Sequence, residues 1–171
     1  MTEKVKFWED LKSGRFVSMV KESSKGRSLS NSGEVYNVLK PLFVEHDDVE
    51  KAYFIFLDAQ NRVLAIENLF SGSLTASAIY TREVVKKLIH LKASAFIMAH
   101  NHPSGDTKPS AQDKSITNKL AIAAASIDVQ FHDHIIIGDG YRSMADTGLL
   151  NEVSRRFSDL LYSDPKDVPV E

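Results

Sequence analysis

The chain has 171 residues, enough for one domain of ordinary size, and 43% hydrophobic against 26% charged residues marks it as globular rather than disordered. Lys plus Arg number 21 and Asp plus Glu 23, a formal net charge of -2, which argues against a protein whose main work is neutralising phosphates along a duplex. Cysteine is absent, so disulfides, a thiol nucleophile and any cysteine-ligated zinc or iron–sulfur centre are excluded, and a metal would have to be held by His, Asp, Glu or water.

Residues 1–31 read as an N-terminal arm rich in Lys, Ser and Gly: an arm or short helix over Lys6–Val20, then a loop through the polar Glu22–Ser32. Met1–Trp8 is charged and lacks the apolar core of a signal segment. The longest apolar runs, near Tyr53–Leu57 and Ile135–Ile137, are strand-sized and too short to cross a bilayer, so a cytoplasmic protein without a membrane partner is the default expectation. Ser32 is placed to cap a helix over Gly33–Val44, in which Val35, Val38, Leu39 and Leu42 fall at helical spacing. Ala52–Leu57 reads as a strand stopped by the turn Asp58-Ala59-Gln60-Asn61, and Arg62–Phe70 returns as the second strand of a hairpin. Thr81 is an N-cap for Arg82–Leu91, whose Val84, Val85, Leu88 and Ile89 form an apolar stripe.

Ala95–Ala99 is a further short strand, and it delivers the chain into His100-Asn101-His102-Pro103-Ser104-Gly105. Ser110 begins a helix to Ala125 with Ile116, Leu120, Ala123 and Ala124 on one side; Val129–Ile137 reads as a strand, Asp139-Gly140 as a turn and Tyr141–Met144 as the returning strand. Residues 151–171, charged and carrying Pro165 and Pro169, read as a C-terminal tail behind a body spanning 32–150. Strands and helices interleave, which predicts an α/β fold with a mixed sheet flanked by helices.

The chemistry concentrates between residues 100 and 113. His100 and His102 are spaced i, i+2 at a strand end, a spacing that puts both imidazoles on one face. Pro103 and Gly105 end the strand and open its terminus to a cleft, and Ser110 and Asp113 lie one turn apart at the start of the next helix. Two neutral histidines and a carboxylate make a catalytic zinc set with water in the open position. Ser110 and Asp113 also read, taken alone, as a capping box at a helix start. A second pair, His132 and His134, lacks the following Pro-x-Gly and Ser-x-x-Asp and reads as structural, with a place lining the site as the alternative.

His100-x-His102-Pro103-x-Gly105 followed by Ser110-x-x-Asp113 resembles the JAMM signature of metal-dependent peptidases and isopeptidases of the MPN type. The wider run from Ala99 to Ser110, the segment Asp133-His134-Ile135-Ile136-Ile137-Gly138 and the helix entry Thr81-Arg82-Glu83 are similar to the RadC branch of that group, over roughly residues 33–150. The resemblance implies a mixed α/β sheet like that of the cytidine-deaminase architecture, with a single zinc ion per chain on His100, His102 and Asp113. It also implies an upstream glutamate ahead of a strand ending in Leu-Asp. Glu50, before Ala52–Leu57 and Asp58, stands at the matching position, with Glu67 and Glu83 as the next candidates. In that scheme Glu50 takes the proton of the zinc-bound water and later returns it to the leaving amine, while Ser110 donates a hydrogen bond to the developing oxyanion. Amide or isopeptide hydrolysis of a peptide or protein substrate is what the resemblance implies; the residues themselves specify metal-assisted hydrolysis.

RadC-type proteins are often labelled DNA-repair proteins and often carry a helix-hairpin-helix region ahead of this domain; residues 1–31 are too short for it. The basic face of Arg82, Lys86, Lys87, His90 and Lys92 reads as a solvated helix face. Two other readings stand beside the hydrolase: a nucleic-acid-associated repair protein, and a binding module that keeps the metal without turnover. The complete set of Glu50, His100, His102, Ser110 and Asp113 argues against the module. A hairpin with an open edge makes a dimer conceivable.

Overall fold

A computed structural model of the chain describes residues 9–10, 13–43, 48–71 and 79–162. Expectations for Met1–Trp8 and for residues 163–171 lie outside the described residues. The elements in chain order are α1 (Arg15–Ser24), α2 (Ser32–Phe43), β1 (Lys51–Leu57), β2 (Val63–Ser71), α3 (Thr81–His90), β3 (Ala95–Asn101), α4 (Ala111–Ala125), β4 (Gln130–Gly138), β5 (Gly140–Ser143) and α5 (Leu149–Tyr162).

The strands form one five-stranded sheet in the order β2-β1-β3-β4-β5. β1 runs antiparallel to both β2 and β3, with Ala52 opposite His100. β3 and β4 are parallel, joined through α4, and β5 returns antiparallel to β4. This is the mixed sheet flanked by helices that the interleaved pattern predicts. β1 and β3 read as unbroken apolar runs because helices cover both faces of the sheet. On one face α2 lays Val35, Val38, Leu39 and Leu42 against Tyr53, Ile55, Ile97 and Ile135. On the other, Val84 and Leu88 of α3 and Ile116 and Leu120 of α4 cover Phe54, Phe56, Phe96 and Met98. Each fully buried phenylalanine among these contributes about 1.5–3 kcal/mol relative to exposure, so the central strands are the rigid part of the molecule.

Four local readings differ from what the chain pattern predicts. Among the described residues, Glu9 and Asp10 are helical, and the helix over Arg15–Ser24 runs on through Glu22–Ser24, residues expected to be loop. The cap of α2 is Asn31 rather than Ser32: Asn31 Oδ1 accepts the Glu34 N–H at 3.0 Å, and Glu34 Oε2 accepts the Ser30 N–H at 2.8 Å. Glu34 thus reaches back past the cap to Ser30, and the Asn31 side chain satisfies one of the free N–H groups of the first turn. Ser32 instead donates to Asp146 Oδ2 at 2.6 Å and ties the helix to the segment after β5. Thr81 is the first residue of α3, whose N-cap is Tyr80 with no side-chain cap bond. Residues 149–162 form a helix where a tail is expected: Leu150, Val153 and Phe157 recur at helical spacing, and α5 packs on α4. No helix among the described residues is long and apolar enough to cross a membrane.

Candidate metal centre

β3 carries His100 into the buried face beside α4. Its neighbours across the sheet are Ala52 on β1 and Ile136 on β4, and the imidazole is buried. His102 lies just past the strand, but its N–H still donates to Ile137 O at 2.8 Å. That bond extends the parallel ladder by one step, so the i, i+2 relation expected of a strand is kept. Asp113 stands on the first turn of α4, buried. His100 Nε2 lies 3.0 Å from Asp113 Oδ1, His102 Nε2 lies 3.2 Å from Asp113 Oδ2, and the two Nε2 atoms are 2.9 Å apart. Among the described residues, these three side chains are the group whose ligand atoms gather within 4.8 Å of one another.

The donor set fits a divalent cation. His102 Nδ1 is 2.6 Å from the Asp106 carbonyl oxygen. A carbonyl can only accept, so Nδ1 carries the hydrogen and Nε2 is a bare lone pair. That lone pair and both oxygens of a carboxylate converge on one buried point, which is unfavourable unless positive charge sits there. Burial raises the Asp113 carboxyl, but its neighbours His100 and Ser110 outweigh burial and hold it well below the usual carboxylate range. Two imidazole nitrogens and a carboxylate oxygen are ligands suited to zinc.

Ser110 and Asp113 form the capping box and join the site at once. Asp113 N–H donates to Ser110 Oγ at 3.0 Å, and Ser110 N–H donates to Asp113 Oδ2 at 2.7 Å. The cap therefore aims the carboxylate, and it uses the serine hydroxyl as an acceptor, leaving its hydrogen for another partner. Glu50 is half-buried immediately before β1. Asn101 holds that entry: its Oδ1 accepts the Lys51 N–H at 2.7 Å and its Nδ2 donates to Val49 O at 3.1 Å. The antiparallel register pairs Ala52, two residues after Glu50, with His100, two residues before His102. Glu67, by contrast, pairs with Phe54 on the far side of β1 from β3 and binds Lys87 at 2.7 Å. Glu83 pairs with Arg82 at 3.4 Å.

The second histidine pair divides. A register shift between Phe96 and Ile97 sets His132 apart from the regular ladder, and its Nε2 meets Asn61 Oδ1 at 2.8 Å. His134 pairs with Met98 and is fully buried, its Nε2 2.8 Å from His100 Nδ1 and its Nδ1 2.6 Å from Thr117 Oγ1. Burial foremost depresses the His134 pKa well below the ordinary histidine value, against an opposing pull from Asp113. Thr117 carries no sequence signal beyond its place four residues after Asp113 on α4.

Backbone packing clamps the loop that bears His102. Gly105 N–H donates to His102 O at 2.9 Å, and Asp139 N–H donates to Gly105 O at 2.8 Å. A Cβ on Gly138 would stand 2.3 Å from that same Gly105 oxygen. Gly138→Ala must therefore push the loop off β4, and a loss of about 1–3 kcal/mol in stability is expected. Thermal unfolding measures it; an unchanged Tm would show that the loop is not held by this approach. Beside His102, Tyr36, Lys40, Phe43 and Ile137 line a cleft of about 280 Å³.

Residues 29–149 match the family described as the RadC-like JAB domain. The chain is 41% identical over 134 residues to a UPF0758 protein of Thiobacillus denitrificans, covering 78% of this chain and 59% of that protein. It is 42% identical over 134 residues to a UPF0758 protein of Nitrosospira multiformis, again 78% and 59%, and 48% identical over 91 residues to one of Vibrio atlanticus, 53% and 41%. The chain thus spans about half the length of the curated relatives it matches.

Proposed function

We propose that this chain, which belongs to the family of RadC-like JAB domains, is a zinc-dependent hydrolase of peptide or isopeptide bonds. The observation that carries the reading is the convergence of His100 Nε2, His102 Nε2 and the Asp113 carboxylate on one buried point at the end of β3. Zinc held by these three residues would supply Lewis acidity and lower the pKa of a bound water towards about 7.

The chain's own residues divide the remaining work. Glu50, which precedes the strand that pairs with β3, takes a proton from the attacking water and returns it to the leaving amine. Ser110 donates its hydroxyl hydrogen to the oxyanion that forms on the attacked carbonyl, while its oxygen goes on accepting from Asp113 N–H. The cleft beside His102 offers Tyr36, Phe43 and Ile137 to an apolar side chain of the substrate and Lys40 to an acidic group. A nucleic-acid reading draws no comparable support, because Lys87 is engaged by Glu67 and Arg82 by Glu83.

The test is a screen of peptides and isopeptide-linked substrates with the full chain. Cleavage that stops on chelation and returns with added zinc is expected. Absence of any cleavage by a protein shown to be zinc-loaded would overturn the reading.

A further inference from the structure

Thr117 and His134 stand behind His100 and are buried. Their hydrogen bonds run in a definite direction. Thr117 Oγ1 donates to the backbone oxygen of Asp113 at 2.6 Å, an atom that can only accept. The hydroxyl has a single hydrogen, so towards His134 Nδ1, 2.6 Å away, it can only accept. His134 Nδ1 therefore carries its hydrogen. A neutral imidazole has one N–H, so His134 Nε2 is bare and accepts from His100 Nδ1 at 2.8 Å. In a neutral His100, the form that can ligate a metal, Nε2 then has no hydrogen, and it is the atom that faces His102 and Asp113.

We propose that Thr117 and His134 are positioning residues that lock His100 in its Nδ1–H tautomer, so that Nε2 is presented to the metal as a ready lone pair. The lock is anchored on the metal-binding helix: Thr117 follows Asp113 by one turn of α4, so the residue that supplies the carboxylate also receives the last hydrogen bond of the relay. His102 is fixed in the same sense by the Asp106 carbonyl from the loop side. In the opposite tautomer a hydrogen would occupy the ligating nitrogen of His100 and metal would have to displace it. Groups in this position relative to a metal ligand change affinity by about 10–100-fold. The consequence for zinc rests on the proposed function, whereas the tautomer itself does not.

Nitrogen-15 spectra of the imidazoles in the full chain stripped of metal read the tautomer directly. His100 protonated at Nδ1 and bare at Nε2 is expected; the reverse assignment would overturn the lock. Zinc affinity, measured by competition with a chelator, provides the second readout. Thr117→Val keeps the shape and loses the hydroxyl, and should bind zinc about 10–100-fold more weakly. Thr117→Ser keeps the hydroxyl and should restore native affinity, which a purely space-filling role would not require. A valine variant equal to the native protein, or a serine variant as weak as the valine one, overturns the proposal. A native chain that binds no zinc overturns the metal reading alone, and the imidazole spectra still decide the tautomer.

Discussion

Elemental analysis of the purified native chain is expected to find close to one zinc per chain, and none in the variant carrying both His100→Ala and Asp113→Ala. The two substitutions remove the ligands supplied by β3 and by α4, leaving only His102 at the mouth of the site. One imidazole cannot hold the ion against solvent. The variant should still fold. The cost it bears is local: His134 Nε2 loses its partner His100 and Ser110 N–H loses Asp113 Oδ2, each worth about 1–3 kcal/mol when buried. Against that, the mutual repulsion of converging acceptors disappears. A native protein that is isolated without metal and takes up none from excess zinc would remove the basis for a hydrolase at this site.

Glu50→Gln is expected to lower turnover by about 10²–10⁴-fold while zinc content stays at the native level. Glutamine keeps the length and shape of the side chain and loses the ability to take up and return a proton. Zinc retention is the decisive control, because Glu50 precedes β1 and is not one of the three gathered ligands. Unchanged turnover with full zinc would assign the proton transfer to another acid. Glu67 and Glu83 are poor replacements, since each is engaged with a basic side chain away from His100.

Much of this arrangement is visible along the chain. The apolar runs of β1 and β3 and the stripes of α2 and α4 locate the two-sided sheet, because burial on both faces leaves an unbroken apolar stretch in a strand and a periodic one in a helix. The two readings of Ser110 and Asp113 are compatible in the structure: one carboxylate both caps α4 and faces His102. The misplaced cap at Ser32 has a narrower origin. Asn31 and Ser32 are both competent caps; in the fold Asn31 takes the Glu34 N–H, and Ser32 is engaged by Asp146. The helix over Leu149–Tyr162 is obscured by its charges, although Leu150, Val153 and Phe157 carry the helical period.

His134 marks the boundary of what the chain pattern conveys. Spacings of two residues on a strand and three on a helix are set by local backbone geometry, so His100, His102, Ser110 and Asp113 announce themselves wherever the elements fold. The partnership of His134 with His100 depends instead on parallel pairing of β3 with β4, on the register shift that separates His132 from it, and on α4 bringing Thr117 within 2.6 Å. These are contacts across 34 and 17 residues of chain. Register between strands is chosen by packing of the whole sheet, not by neighbours in sequence, which is why a histidine that reads as structural in the chain stands against His100 in the fold.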